Sequence, residues 1–193
     1  MARTVTAILV AAGASRRFGA DKLLADYNGK PLFSYGLRTL VGACTARPDA
    51  DLTVVTNTPA VAEAARAMGA CVAPSPRSAQ GQSYSIRAGL DAVEPLEAGD
   101  FLLFAVADQP RLRPETVNRF LDLARPGTWA ATAACGDRVG NPGLFCAALA
   151  PALRELQGDK GGRAVLNRYP ERLVRVECLP EELQDIDTPA DLP

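Results

Sequence analysis

The stretch LVAAGASRRFGADKLL, residues 9–24, joins an apolar run to a loop of small residues that carries three cations, Arg16, Arg17 and Lys22. With the residues before it, the apolar run predicts a buried strand at Val5–Ala11. In an open parallel sheet, ligands bind beyond the carboxyl ends of the strands, and the first turn commonly holds a phosphate. Since residues 11–15 are all small, no bulky side chain keeps an anion from the backbone N–H groups. The stretch therefore predicts the first strand and the phosphate loop of such a sheet.

Strand-like and helix-like runs alternate along the rest of the chain. The run Phe101–Val106 is apolar on both faces, as parallel strands are when helices cover both sides of a sheet. We therefore expect an α/β fold, a three-layer α/β/α arrangement around a mostly parallel, Rossmann-like sheet, with residues 1–193 in one domain. The other predicted strands are Leu52–Thr56, Cys71–Ala73, Phe101–Ala107, Trp129–Ala133 and Leu173–Cys178. The predicted helices are Pro31–Val41, Pro59–Met68, Ser83–Val93 and Pro114–Ala124, with others near 147–156 and 161–169. Gly42 and Gly69 are expected to end the first two of these helices.

Composition excludes several classes of protein and of chemistry. Lys and Arg number 21 and Asp and Glu 22, a formal charge of -1, so no overall field favours nucleic acid or an anionic membrane. No apolar run reaches the roughly 20 residues that span a bilayer, and no signal-peptide pattern opens the chain, so we expect a cytoplasmic protein. The absence of histidine removes Ser-His-Asp and Cys-His nucleophiles, and the five scattered cysteines are typical of buried thiols. Catalysis must then use carboxylates, lysine, arginine, backbone amides or a hard metal ion.

The spacing of the loop fits neither of the two common phosphate loops. A Walker A loop has four residues between its glycines and lysine directly after them, whereas Gly13 and Gly19 enclose five residues and Lys22 comes later. The dinucleotide fingerprint G-x-G-x-x-G fails at Ser15. Three positive charges on one loop are enough to oppose a triphosphate, although a surface turn with solvated basic residues would show the same letters.

The loop resembles a signature of a known protein family. Residues 9–24 resemble the signature L-A-A-G-x-S-x-R-x-G-x-x-K of the nucleotidyltransferases related to the molybdenum cofactor enzymes, the MobA-like NTP transferase domain. The resemblance implies a fold of the nucleotide-diphospho-sugar transferase type, with the N-terminal half binding nucleotide and the C-terminal half binding the acceptor. It also implies catalytic roles for Arg17, Lys22 and Asp108. The nucleotide-binding loop residues that it implies are Ala11, Ala12, Gly13, Ala14 and Ser15, together with Lys22.

Two aspartates are candidate metal ligands. Asp108 follows the apolar strand in the run Val106-Ala-Asp-Gln-Pro110, and in the family the aspartate at this strand end holds Mg²⁺. Mg²⁺ prefers oxygen ligands and bridges a carboxylate to substrate phosphates, so this place suits it, although Asp108 before Pro110 would also open an Asx-turn. Asp187, in the motif D-I-D-T-P-x-D, is the second candidate ligand, and it is equally a good N-cap before Pro189.

The segment 79–89 resembles the family segment near the base and ribose. Gly81, Gln82 and Ser85 are the nucleotide-binding candidates there, although helix capping would also explain the serines. Asn57, after the second long strand, is a further candidate for base or ribose contacts.

Three motifs of the last third, in residues 140–145, 156–163 and 185–191, resemble the branch that transfers CMP to molybdopterin. Ala-Ala-Gly at residues 11–13 and Leu-Leu after Lys22 resemble the same branch. The C-terminal motifs suggest that Asn141, Lys160 and Arg163 bind the acceptor. Asn141, however, stands where the branch commonly has histidine. The charges of the glycine-rich turn at residues 158–162 would also suit an exposed helix start. The implied reaction joins CTP, or GTP in the guanylyltransferase branch, to a molybdopterin-type phosphate acceptor with Mg²⁺. A molybdoenzyme would be the partner that receives the product. A sugar-phosphate or polyol-phosphate nucleotidyltransferase and a non-catalytic cofactor-insertion chaperone stay open as alternatives.

Overall fold

Seven strands form one sheet within the residues that the computed structural model describes, which are 5–13, 18 and 21–193. Their order across the sheet is β5-β4-β1-β6-β8-β7-β9. The strands β2 and β3 form a separate two-stranded ribbon. The bounds are β1 Val5–Ala11, β2 Asp26–Tyr27, β3 Lys30–Pro31, β4 Ala50–Thr56, β5 Cys71–Ala73, β6 Phe101–Val106, β7 Ala130–Cys135, β8 Arg138–Cys146 and β9 Leu173–Glu177.

The seven-stranded sheet is mixed but mostly parallel. β1 pairs in parallel with β4 and β6, β4 with β5, and β7 with β9. β8 runs antiparallel to both of its neighbours, β6 and β7, so it alone among the described strands of this sheet is reversed. The carboxyl ends of the other strands therefore meet at one edge, where ligands are expected in such a sheet.

Helices cover both faces of the sheet, which confirms the predicted three-layer fold. Successive residues of a strand point to opposite faces. Gly36 of α1 lies against Leu9, and Gly89 of α3 lies against Ile8, so α1 and α3 pack on opposite sides of β1. The helices are α1 Phe33–Thr45, α2 Pro59–Ala67, α3 Gln82–Val93, α4 Pro114–Leu123, α5 Ala150–Arg154 and α6 Arg163–Leu166.

The first helix differs from its predicted bounds at both ends. Pro31 was expected in the first helical turn but lies in β3, and α1 begins at Phe33. Gly42 was expected to end the helix, yet α1 continues to Thr45 because Leu40, Ala43 and Cys44 are buried against the core. Tertiary packing thus overrides the weak propensity of one glycine.

A small second core lies between the two-stranded ribbon and the C-terminal segment. Tyr27, Leu32 and Ile186 are buried together, and Phe18 and Leu192 pack against them. This cluster fixes the ribbon of β2 and β3 to the C-terminal segment. No helix among the described residues is long and apolar enough to cross a membrane.

Candidate active site

An open cleft of about 630 Å³ lies at the carboxyl edge of the sheet. The end of β1 forms its floor, the start of α3 forms one wall, and the residues after β6 form another. Among the charged residues that the structure describes there, the cleft has one cation, Lys22, and three carboxylates, those of Asp108, Asp159 and Asp187. The remaining lining residues are Val10, Ala11, Ala12, Gly13, Leu23, Ser78, Ala79, Gly81, Gln82, Ser85 and Val106.

Lys22 joins the two predicted metal ligands. Its Nζ donates to Asp108 Oδ2 at 2.7 Å and to Asp187 Oδ1 at 3.1 Å. It also donates to the backbone oxygen of Ile186 at 3.0 Å. The side chains differ in exposure, 11% for Lys22, 22% for Asp108 and 49% for Asp187, so the two carboxylates open towards the cleft while the ammonium lies behind them. Lys22 thus contacts carboxylates that are 86 and 165 positions away from it in the sequence.

Asp21 fixes the turn that carries Lys22, and the sequence analysis did not identify it. Its Oδ1 accepts from the backbone N–H of Leu23 at 3.1 Å, which caps the short 3-10 turn Lys22–Leu24. Its Oδ2 accepts from Thr58 Oγ1 at 2.7 Å, so the turn is also attached to the segment after β4. An aspartate directly before a helical turn is an N-cap signal, and that signal was present in the sequence.

The electrostatic surroundings keep Lys22 charged. Burial alone would lower the pKa of Lys22, but the negative charges and hydrogen bonds of Asp108 and Asp187 outweigh burial and raise it. An ammonium that stays protonated neutralises part of the repulsion between the two carboxylates.

A third carboxylate, Asp185, lies beside this pair and was not a sequence-based candidate. Burial, and after it the negative charge of Asp108, raises the pKa of Asp185, and Asp187 adds to the effect. Asp185 Oδ1 accepts from Gln109 Nε2 at 2.8 Å. Both residues lie inside motifs that the sequence showed, but their contact joins positions 76 apart and no local pattern reveals it.

The glycine-rich turn of residues 158–162 lies against the start of α3. The backbone N–H of Ser83 donates to the oxygen of Gly158 at 3.1 Å. A Cβ on Gly81, whose φ is +132°, would lie 2.3 Å from that same carbonyl group, and a Cβ on Gly161 would lie 2.3 Å from Gln82 Oε1. Only glycine permits this approach, which brings Asp159 to the cleft beside the predicted nucleotide-binding residues Gly81 and Gln82.

Two other predicted nucleotide-binding residues make contacts within the protein. Ser85 lines the cleft, and its Oγ lies 3.3 Å from both the oxygen of Ala12 and Ser75 Oγ. Asn57 donates from Nδ2 to the oxygen of Ser75 and to Ser78 Oγ, and its Oδ1 accepts from the N–H of Ser75. Asn57 is not among the described lining residues, so it shapes the wall of the cleft through the segment 75–78.

The predicted acceptor-binding residues lie outside the described lining of this cleft. Lys160 and Arg163 are exposed, and Asn141 is half-buried. Lys160 belongs to the turn that contacts α3, so it is one residue from Asp159 in the cleft. The predicted loop residues Ala14, Ser15 and Arg17, together with Arg16, lie outside the described residues.

The donor set fits a hard divalent cation. Asp108 and Asp187 present carboxylate oxygens that already share one cationic group. In the described part of the chain, no group of three or more His, Cys, Asp or Glu side chains forms a complete metal cage. Mg²⁺ is usually bound by one or two carboxylates and completed by water and substrate phosphates, so an incomplete protein set of this kind suits it.

Comparison with known proteins places the cleft in a family. A family model described as the MobA-like NTP transferase domain matches residues 7–173, which include most of β1, Lys22 and Asp108. The match ends before Asp185 and Asp187, so the C-terminal contacts to Lys22 come from outside it.

Two curated relatives cover nearly the whole chain. Nicotine blue oxidoreductase from Paenarthrobacter nicotinovorans is 32% identical over 198 residues, covering 95% of this chain and 92% of the relative. Purine catabolism protein PucB from Bacillus subtilis (strain 168) is 29% identical over 197 residues, with the same two coverages, 95% and 92%.

Solved structures agree with the fold. Rv0371c from Mycobacterium tuberculosis H37Rv has a TM-score of 0.74 at 27% identity, covering 99% of this chain and 96% of that one. Its complex with manganese has a TM-score of 0.71 at 25% identity, covering 97% and 95%. CMP:2-keto-3-deoxy-manno-octonic acid synthetase complexed with CTP shares the fold at 16% identity, with a TM-score of 0.68 and coverages of 97% and 94%. The predicted nucleotidyltransferase type of fold is thereby confirmed.

Proposed function

Because the chain belongs to the family of MobA-like NTP transferase domains, we propose that it transfers CMP from CTP to the phosphate of molybdopterin and releases pyrophosphate. The observation that carries the proposal is the bridge from Lys22 to both Asp108 and Asp187 at the mouth of the cleft. A second argument is electrostatic. Three of the described lining residues, Asp108, Asp159 and Asp187, carry carboxylates that repel a triphosphate, and a divalent cation would offset that repulsion.

The reaction requires little proton transfer. An oxygen of the acceptor phosphate attacks the α-phosphorus of CTP, a new phosphorus–oxygen bond forms, and the bond between the α-phosphorus and the bridging oxygen breaks, so that the electron pair leaves with pyrophosphate. Both phosphates are ionised at neutral pH, so no general base is needed. A chain without histidine can therefore perform this transfer by positioning and charge neutralisation.

The protein groups have separate tasks in this scheme. Residues 11–13, at the end of β1, line the cleft, and their backbone amides could hold phosphate oxygens. Lys22 supplies a positive charge that its surroundings keep protonated. Asp108 and Asp187 would hold Mg²⁺, which when bound offsets the negative charge that develops on the phosphates. Arg17 is proposed as a further cation for the triphosphate.

The choice of molybdopterin and of cytosine rests on the resemblance of the three C-terminal motifs, of Ala-Ala-Gly at residues 11–13 and of Leu-Leu after Lys22. Asn141, Lys160 and Arg163 are the proposed contacts to the acceptor phosphate, and a molybdoenzyme is the proposed recipient of the product. The turn that carries Lys160 contacts α3 and contributes Asp159 to the cleft, so an acceptor bound at this turn would lie next to the nucleotide.

A pyrophosphate-release assay tests the proposal. Purified protein, Mg²⁺ and molybdenum-loaded molybdopterin are incubated with CTP, GTP, ATP or UTP in turn, with sugar phosphates and polyol phosphates as competing acceptors. We expect release with CTP and molybdopterin and its loss in Asp108→Asn. Turnover with GTP would make the protein a guanylyltransferase, turnover with another acceptor a different nucleotidyltransferase, and tight molybdopterin binding without release a carrier.

A second candidate activity is an oxidoreductase. The 32% identity with nicotine blue oxidoreductase from Paenarthrobacter nicotinovorans favours it. The same preparation is therefore assayed for conversion of nicotine blue in the presence of nicotinamide dinucleotides. Conversion of the dye without any triphosphate-dependent release of pyrophosphate would support this candidate over the transferase.

A further inference from the structure

The segment of residues 184–187, here named the clasp, runs beside the residues that follow β6. The backbone N–H of Ile186 donates to the oxygen of Asp108 at 2.9 Å, Gln109 Nε2 donates to Asp185 Oδ1 at 2.8 Å, and Arg111 donates to Gln184 Oε1. Ile186 is fully buried in the small core with Tyr27 and Leu32. The clasp has no helix or strand of its own, so these contacts hold it.

The clasp supplies two of the acceptors for Lys22. The backbone oxygen of Ile186 and the carboxylate of Asp187 both accept from its Nζ. The distance between the carboxylates of Asp108 and Asp187 therefore depends on how the clasp is fixed along residues 108–111. A displacement of the clasp would move Asp187 away from Asp108 even if both side chains were intact.

The contact between Gln109 and Asp185 is costly for a segment that only needs to pack. Gln109 is 3% exposed, and its Oε1 is buried without a hydrogen-bond partner in the described structure. An unsatisfied buried carbonyl typically costs about 1–3 kcal/mol. Asp185 adds a third negative group beside Asp108 and Asp187. Apolar side chains would pack here without either cost. The polar pair is therefore explained better by a hydrogen bond that orients the clasp than by a gain in stability.

We infer that Gln109 and Asp185 are positioning residues, which fix the clasp so that Asp187 faces Asp108 and one cation can bridge both carboxylates. This inference rests on the proposed function, because it assumes that the cation site formed by Asp108 and Asp187 serves the nucleotidyl transfer. Neither residue touches the reacting phosphates in this scheme. Their effect reaches the cation site through the backbone of Ile186 and Asp187.

The direct test removes the hydrogen bond between Gln109 and Asp185 from either side. Gln109→Leu deletes the hydrogen bond to Asp185, and Asp185→Ala deletes it from the other side. Asp185→Asn keeps an oxygen that accepts from Gln109. Asn118→Leu, the same type of change on the exposed surface of α4, is the matched control. Binding of Mn²⁺ to each protein, without nucleotide, is measured from the loss of the free-ion paramagnetic resonance signal, and melting temperatures are recorded in parallel.

We expect Gln109→Leu and Asp185→Ala to weaken Mn²⁺ binding about tenfold or more, as loss of partners behind metal ligands commonly does. Asp185→Asn should recover most of the affinity relative to Asp185→Ala, and Asn118→Leu should bind as the wild type does. In the transfer assay, the Mg²⁺ concentration for half-maximal rate should rise, while the KM for triphosphate at saturating Mg²⁺ changes little.

Two results would overturn the inference. One is unchanged Mn²⁺ affinity in Gln109→Leu, whether or not its melting temperature falls, since a merely structural contact would lower stability alone. The other is equal loss of affinity in Asp185→Asn and Asp185→Ala, which would assign the effect to charge. A wild-type protein that binds Mn²⁺ but releases no pyrophosphate would contradict the proposed function instead, and the Mn²⁺ series would still test the positioning pair.

Discussion

Lys22 is the residue whose surroundings define the site most closely. It is buried, its pKa is raised by two carboxylates that outweigh burial, and its hydrogen bonds join the end of β6 to the C-terminal segment. Lys22→Met would keep the length of the side chain and leave Asp108 facing Asp187 without the ammonium. We expect the turnover number to fall about 10²–10³-fold and the protein to lose about 1–3 kcal/mol of stability from unpaired polar groups.

Pyrophosphate release and chemical denaturation measure the two effects of Lys22→Met. Lys30→Met is the matched control, because Lys30 is exposed on β3. Equal activity in Lys22→Met and Lys30→Met would remove Lys22 from the proposed machinery.

The cysteines should differ strongly in reactivity. Burial, with the charge of Asp51, raises the pKa of Cys44 to about 11, and burial, with the charge of Glu182, raises that of Cys178 to about 11. Because the thiolate is the reactive form, a raised pKa slows alkylation at pH 8.

Cys71 is exposed. Iodoacetamide should therefore modify Cys71 of the native protein first, as read by mass spectrometry, and the rate at the half-buried Cys178 should climb as pH rises towards 11. Rapid modification of Cys178 at pH 8 would contradict this assignment.

At the residue scale, the sequence was sufficient where one motif carries one role. Lys22 was identified as a cation on the family signature of the loop and Asp108 as the residue after a buried apolar strand, and the structure brings them within hydrogen-bond distance. Gln109, Asp185 and Asp21 were missed as site residues because their importance lies in contacts to distant segments. Asn57 was identified as a polar residue at a strand end, but the sequence could not show that its amide is used by the segment 75–78.

At the scale of elements, two glycines should respond in opposite ways to alanine. Gly81, before α3, has a φ of +132°, and a Cβ there would lie 2.3 Å from the carbonyl of Gly158. Gly42 lies within α1 on its exposed side, with no atom within 4 Å of an added Cβ. We expect Gly81→Ala to cost about 2–4 kcal/mol in strain and overlap. Gly42→Ala should add about 0.5–1 kcal/mol by lowering the entropy of the unfolded chain.

Urea unfolding followed by circular dichroism measures both changes. Because Gly81 lies where the glycine-rich turn contacts α3, its replacement should also weaken nucleotide binding. A neutral Gly81→Ala would mean that this contact is not needed for the fold.

Element positions were predictable where the apolar pattern and the local signals agree. The strands that became β1 and β6 are apolar on both faces, and Gly69, with a φ of +81°, lies just after α2, where it was expected to end that helix. The bounds of α1 were wrong because Pro31 pairs in a ribbon with Asp26, and because buried contacts carry the helix past Gly42. Neither effect can be read from neighbouring residues alone. The reversal of β8 was equally hidden, since its direction depends on a hairpin with β7.

At the scale of the molecule, the charge distribution predicts how nucleotide and metal should depend on one another. The described cleft has three carboxylates against one ammonium in a protein of formal charge -1. These carboxylates should repel CTP in the absence of a divalent cation, so CTP alone should raise the melting temperature less than CTP with Mg²⁺ does. CTP with Mg²⁺ should raise it clearly, because a ligand at a hundred times its dissociation constant adds about 2.7 kcal/mol to the folded state.

A thermal-shift matrix of CTP, GTP, ATP and UTP, each with and without Mg²⁺, measures this dependence. The base that gives the largest shift identifies the preferred triphosphate. Equal shifts with and without the metal would contradict the role given to Asp108 and Asp187.

The most direct test of the central claim is to follow the two ends of the triphosphate separately. CTP labelled with ³²P at the α-phosphate or at the γ-phosphate is incubated with the protein, Mg²⁺ and molybdenum-loaded molybdopterin, and the products are separated by chromatography. We predict that the α-label enters the acceptor product and the γ-label appears in pyrophosphate, and that Asp108→Asn forms neither. Transfer of the γ-label to the acceptor, or consumption of the acceptor without transfer of either label, would contradict the assignment as a nucleotidyltransferase.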